Sequence, residues 1–138
     1  EIARLTDNGY IMPEQAKSLS RDKLKTLFES DFASRMFNAD KIYREIKVSS
    51  YVPVNQIEDT QYTDSVLIQG IADCVFEENG KLVLVDYKTD RVSCEEELLD
   101  LYKNQIAFYR KAVEKTLKKP VKEAVLYSFA LNKICIYK

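Results

Sequence analysis

The feature that most constrains this chain is Asn79-Gly80, set between two strand-like runs, Ile71 to Glu78 and Lys81 to Val85. An Asn-Gly pair in that setting specifies a two-residue type I′ reversal, because both turn residues need positive φ and these two accept it at least cost. The turn in turn specifies the register. With Glu78 opposite Lys81, counting back along both strands brings Asp73 opposite Asp86. Both carboxylates then share one face of the sheet, with Cβ atoms about 4.5–5.5 Å apart, a spacing at which like charges repel. The period of two places Lys88 on the same face as Asp86.

Two acids and a lysine converging at a strand end suit a divalent, oxygen-ligated metal such as Mg²⁺. The plainer alternative is a buried ion pair in which Lys88 neutralises one aspartate. A single ammonium cannot balance two carboxylates, which favours the cation.

The same residues carry a family resemblance. Gly70-Ile71-Ala72-Asp73, Asp86-Tyr87-Lys88-Thr89 and Gln105-x-x-x-Tyr109 together resemble the PD-(D/E)XK nuclease core in its RecB-type branch. The run Asp86-Tyr87-Lys88-Thr89-Asp90, Tyr102-Lys103-x-Gln105 and Leu126-Tyr127-Ser128-Phe129 extend the likeness to the C-terminal nuclease domains of AddAB-type ATP-dependent helicase/nucleases, in their AddA chains. It runs from about Ile2 to the C-terminus. The three motifs together are specific, whereas Asp-Tyr-Lys alone is weak.

The resemblance implies an α/β (α+β) fold with a restriction-endonuclease-like core, a mixed central sheet and flanking helices. It implies Mg²⁺-dependent hydrolysis of DNA phosphodiester bonds, as an exonuclease domain in double-strand break repair and recombination, with Mn²⁺ as a substitute metal. Asp73 and Asp86 would hold the metal, joined by the backbone carbonyl of Tyr87. Lys88 would orient the attacking water or stabilise charge at phosphorus, and Gln105 and Tyr109 would contact DNA. Glu45 matches an acidic position on the first strand and is a further candidate ligand; a solvated strand glutamate is the alternative. ATP would enter only through motor domains outside these residues. The implied partners are DNA and the second subunit of a helicase–nuclease heterodimer, in the cytoplasm and without a membrane.

One departure from the family pattern carries a consequence. RecB-type nucleases have a metal-binding His on a helix before the first strand, and this chain has no His and opens on Glu1. The expectation is a fragment truncated at its N-terminus, binding metal weakly and cleaving little DNA by itself. Two competing readings are a degenerate nuclease-fold module that docks DNA or a partner subunit, and a module in which Asp73, Asp86 and Lys88 form a structural charge cluster.

Composition narrows the rest. The 138 residues suffice for one domain with a real core. No apolar run is long enough to span a bilayer, and no secretory signal opens the chain. A net charge of −1 gives no global attraction to nucleic acid, so any DNA contact must come from a local patch. Cys74, Cys94 and Cys135 show no metal-ligand spacing, as expected of reduced thiols in the cytosol, and Cys74 reads as a small core residue.

The chain divides into a helical lead-in, 1–40, and a nuclease core, 41–138. Helices are expected from Pro13 through Leu19, over 21–29 behind a Ser20 cap, and over 31–40. Leu24, Leu27, Phe28, Phe32, Met36 and Phe37 should face inward. Strands are expected over 41–54, 65–78, 81–89, 121–130 and 133–137, with a loop over 55–64. A helix over 95–118, capped by Ser93, should place Leu98, Tyr102, Gln105, Tyr109 and Val113 on one face. Gln105 is the polar exception on that stripe and needs a partner.

Overall fold

A computed structural model describes residues 21–56, 61–62 and 64–137; the expected Pro13 helix and Ser20 cap lie outside them. The chain forms two compact units, Glu1–Phe37 and Asn38–Lys138. In the first, α1 (Arg21–Phe28) and α2 (Asp31–Phe37) meet at Ser30. The Ser30 hydroxyl donates to the Leu27 carbonyl at 2.6 Å and accepts the Ala33 N–H at 3.1 Å, so it closes α1 and caps α2. Leu27, Phe32, Ala33 and Met36 are buried. Phe28 and Phe37, expected to face inward, are each 54% exposed and stack on one another with centroids 5.9 Å apart. Each is the last residue of its helix, one step around from a buried neighbour, so burying Leu27 and Met36 turns both rings outward.

The second unit is a five-stranded mixed sheet in the order β1-β2-β3-β4-β5. The strands are β1 (Lys41–Pro53), β2 (Ser65–Glu78), β3 (Lys81–Lys88), β4 (Val121–Ser128) and β5 (Lys133–Tyr137). β3 and β4 are parallel, and the other neighbours are antiparallel. Helix α3 (Glu95–Leu117) makes the crossover that a parallel pair requires. The Asn79-Gly80 reversal has φ of 55° and 73°, as a type I′ turn needs, and Glu78 pairs with Lys81. Leu82, Val83, Leu84 and Val85 are all at most 1% exposed, which is why β3 is continuously apolar instead of alternating. Against this sheet α3 lays Leu98, Ile106, Tyr109, Ala112 and Val113.

Two ends of α3 differ from expectation. Cys94, not Ser93, occupies the N-cap position, with extended backbone and no side-chain cap bond. Ser93 instead donates its backbone N–H to the Glu97 carboxylate at 2.7 Å. At the other end Lys118 takes the left-handed conformation, φ 56°, and donates its N–H to the Glu114 carbonyl. No helix among the described residues is long and apolar enough to cross a membrane.

The β1–β2 ladder carries one irregularity. Arg44 pairs with Cys74 and Ile46 with Ala72, but the intervening Glu45 and Asp73 do not pair, and Glu45 has φ 52°. The register is the same on both sides. The faces are not: Tyr43 and Ile46, three residues apart, both pack toward the α3 core, as do Ala72 and Val75. A left-handed residue resets the side-chain alternation without adding a residue. That reset occurs at the level of Asp73.

Candidate active site

β2 and β3 part company beyond the pair Cys74–Val85. β2 continues alongside β1 to Ser65, while β3 continues alongside β4 to Lys88. Asp73 and Asp86 are the first residues past the fork, opposite one another as the turn demands. Where the ladder stops, the Tyr87 N–H donates to Asp73 Oδ2 at 2.9 Å, so a side-chain carboxylate replaces a strand carbonyl.

Asp86 is only 5% exposed, and the Lys88 ammonium lies 2.5 Å from its Oδ2. Despite that proximity, Asp86 Oδ2 is the one buried side-chain polar atom among the described residues without a well-aligned hydrogen bond. The ammonium neutralises it as a charge more than as a directed donor. Burial raises the Asp86 pKa above the usual carboxylate range; Lys88 opposes that rise and the neighbouring Asp73 adds to it.

Lys88 has two further partners. It donates to Gln105 Oε1 at 2.7 Å, and its Nζ lies 3.8 Å from the centroid of the Tyr102 ring. Gln105 Nε2 reaches toward the Tyr109 hydroxyl at 3.5 Å, and that hydroxyl accepts a bond from the Ile71 backbone. Tyr109 in turn lies against Gly70, where a Cβ would stand 2.6 Å from the ring. Contacts therefore run from Asp86 through Lys88, Gln105 and Tyr109 back to β2, two or three residues before Asp73. Gln105 and Tyr109 also line a groove of 480 Å³ with Tyr51, Ile68, Phe108 and Lys111.

The structure thus brings together Asp73, Asp86, Lys88, Gln105 and Tyr109. Tyr87 enters through its amide N–H. Glu45 stands level with Asp73 but is exposed, and among the described residues no hydrogen bond or ion pair joins it to either aspartate. Sequence reasoning missed the place of Tyr102 over Lys88 and of Asp90, whose carboxylate accepts the Tyr102 hydroxyl at 2.7 Å. That bond, with burial, pushes the Tyr102 pKa up to about 12. The available signal was spacing: Tyr102 lies one helical turn before Gln105, and Asp90 lies two residues after Lys88.

As a metal site the donor set fits in part. Two carboxylates face one another at a fork, one carries a buried oxygen with no aligned donor, and one lysine serves both. Among the described residues no three His, Cys, Asp or Glu side chains converge as a cage, so water and backbone oxygen would complete any coordination shell.

Comparison with known proteins agrees with this geometry. The profile of the PD-(D/E)XK nuclease superfamily matches residues 4–134. The AddA-type chain of the ATP-dependent helicase/nuclease from Clostridium kluyveri is 38% identical over 97% of this chain, and its namesake from Bacillus mycoides is 34% identical over 97%. The chain spans 11% and 12% of the lengths of those two proteins. The crystal structure of SSO0001 superposes with a TM-score of 0.50 at 15% identity, over 99% of this chain and 60% of that one, a likeness of fold. An acid pair at a strand fork, a lysine beside it and a match over nearly the whole length lead to one assignment: this chain belongs to the PD-(D/E)XK nuclease superfamily.

Proposed function

We propose that this chain hydrolyses DNA phosphodiester bonds with a divalent metal, Mg²⁺ or in its place Mn²⁺, as the exonuclease domain of a helicase–nuclease in DNA break repair. The observation that carries the reading is the opposition of Asp73 and Asp86 where β2 and β3 separate, with Lys88 beside them. A repulsive pair half removed from water raises the energy of the folded chain, and a bound cation offsets that penalty.

Asp73 and Asp86 would hold the ion with the Tyr87 carbonyl. When bound, such an ion supplies an acidified water and screens the non-bridging phosphate oxygens. The Tyr87 amide keeps the Asp73 carboxylate turned to the fork. Lys88, once Asp86 is engaged elsewhere, is free to direct an N–H toward a phosphate oxygen or the attacking water. Gln105 holds Lys88 from the other side and, with Tyr109, borders the groove in which a strand would lie. Positioning of this kind is a large share of phosphoryl-transfer catalysis. ATP use and a partner subunit would belong to the larger assembly that the helicase/nuclease relatives represent.

A second reading, a module that docks DNA or a partner subunit without cleaving it, draws on the lack of a third acidic, His or Cys ligand at the pair among the described residues. Calorimetric titration of Mg²⁺ and Mn²⁺, run beside cleavage of an end-labelled single-stranded oligonucleotide, separates the two. For the enzyme, Asp86→Asn abolishes both metal binding and cleavage while the chain stays folded. For the docking module, oligonucleotide binding persists in the variant and neither protein cleaves. If Asp86→Asn unfolds the chain and leaves metal affinity in the folded fraction unchanged, the cluster is structural and the hydrolytic reading fails.

A further inference from the structure

We infer that Tyr102, tethered by Asp90, is a positioning residue that clamps the Lys88 ammonium in place. An ammonium has three N–H donors and no acceptor. Around Lys88 Nζ stand three electron-rich partners: Asp86 Oδ2 at 2.5 Å, Gln105 Oε1 at 2.7 Å and the Tyr102 ring face, 3.8 Å to its centroid. The side chain of Lys88 is 12% exposed, a depth at which a cation over an aromatic face gains more than it does in water. The ring cannot swing aside freely, because its hydroxyl donates to Asp90 Oδ2 at 2.7 Å. A phenol that donates to a carboxylate also carries more electron density in its ring, which strengthens its hold on a cation.

The clamp answers a problem that the acid pair creates. Lys88 is drawn to Asp86, yet Asp86 is one of the two groups proposed to hold a metal, so this inference rests on the hydrolytic reading above. Once Asp86 is engaged, Lys88 loses its nearest counter-charge. Without another partner, a four-carbon stem with free rotors would let the ammonium wander into solvent. Tyr102 and Gln105 keep two of its three donors engaged, so the ammonium stays beside the fork with one N–H to spend. Neither Tyr102 nor Asp90 belongs to the acid pair. Each acts on the reaction through Lys88.

The test compares the chain with Tyr102→Leu, Tyr102→Phe and Asp90→Asn. In ¹³C-resolved NMR spectra recorded without metal, the Lys88 ε-methylene protons should lie upfield of those of exposed lysines, because they sit over the ring. Tyr102→Phe should keep that shift, Tyr102→Leu should abolish it and Asp90→Asn should reduce it. In Mg²⁺-dependent cleavage of a single-stranded oligonucleotide, Tyr102→Leu should lower kcat about tenfold or more with KM nearly unchanged, and Tyr102→Phe should restore most of it. An unshifted Lys88 in the wild-type chain overturns the clamp, as does a Tyr102→Leu variant with wild-type kcat. A wild-type chain that shows the ring shift but never cleaves DNA sinks the hydrolytic reading and leaves the clamp standing. Should Tyr102→Leu fail to fold, Asp90→Asn, altered at an exposed side chain, carries the same two readouts.

Discussion

Gly70→Ala is the substitution whose outcome follows most directly from the coordinates. A Cβ at Gly70 would lie 2.6 Å from Tyr109 Cε1, 3.0 Å from its hydroxyl and 3.2 Å from Cζ. Comfortable carbon contacts are about 3.5–4.0 Å, so the ring must retreat by roughly an ångström. Tyr109 is 9% exposed and belongs to the core that α3 buries on the sheet, which leaves it little room. Overpacking of this kind costs about 1–3 kcal/mol. Against it stands a gain of about 0.4–1 kcal/mol, because alanine has less backbone freedom to lose on folding and φ at this position is not left-handed. The net expectation is a loss of about 1–2 kcal/mol, read as a lower urea midpoint with an unchanged m-value. Function should suffer more than stability, since Tyr109 borders Gln105 and Gln105 holds Lys88. Pairing Gly70→Ala with Tyr109→Leu in a double-mutant cycle isolates the cause: with the ring gone, the alanine should cost little or stabilise. Gly80→Ala is the control, because nothing lies within 4 Å of its added Cβ but φ is 73°; it should cost about 1 kcal/mol through backbone strain and leave Lys88 undisturbed. If Gly70→Ala is as stable as the parent and the Tyr109 ring resonances do not move, α3 does not pack on β2 through this contact.

Other expectations bear on the acid pair and on backbone strain. The Asp86 pKa is raised in the folded chain, so the native state binds that proton more tightly than the unfolded state does. Its contribution to stability is therefore full below the unfolded value of about 3.9 and is lost as pH rises through the raised folded value. The difference in melting temperature between Asp86→Asn and the parent should shift in favour of the variant across that window, and a difference that does not change with pH would contradict the assignment. Glu45→Gly keeps the left-handed backbone while deleting an exposed carboxylate; Mg²⁺ affinity by calorimetry should be unchanged, and a tenfold loss would make Glu45 a ligand after all. Lys118→Gly should stabilise by about 0.5–1 kcal/mol in urea melts, because Lys118 holds a conformation that glycine adopts without strain.

Much of the site was legible because one turn controlled it. Asn79-Gly80 determines the register, and the register sets Asp73 against Asp86, a relation that needs no knowledge of the rest of the fold. The stripe of Leu98, Tyr102, Gln105, Tyr109 and Val113 was equally readable, being a property of helical spacing alone. What spacing cannot supply is the point at which a ladder ends. Nothing in the run Ala72-Asp73-Cys74 says that β2 leaves β3 there, or that Glu45 turns left-handed on the neighbouring strand so that Ala72 and Val75 face the same core. That reset depends on three strands at once. The partner that polar Gln105 needed was likewise set by tertiary packing: it is Lys88, 17 residues away, and the ring completing that contact comes from the preceding turn of the same helix. The end-of-helix phenylalanines failed for a related reason. Periodicity gives the direction of a buried stripe but not its width, and Phe28 and Phe37 fall just beyond its edge. Local pattern therefore specified which groups oppose one another, while the fork that leaves the two carboxylates unbridged, and so able to act on a third body, is a property of the assembled sheet.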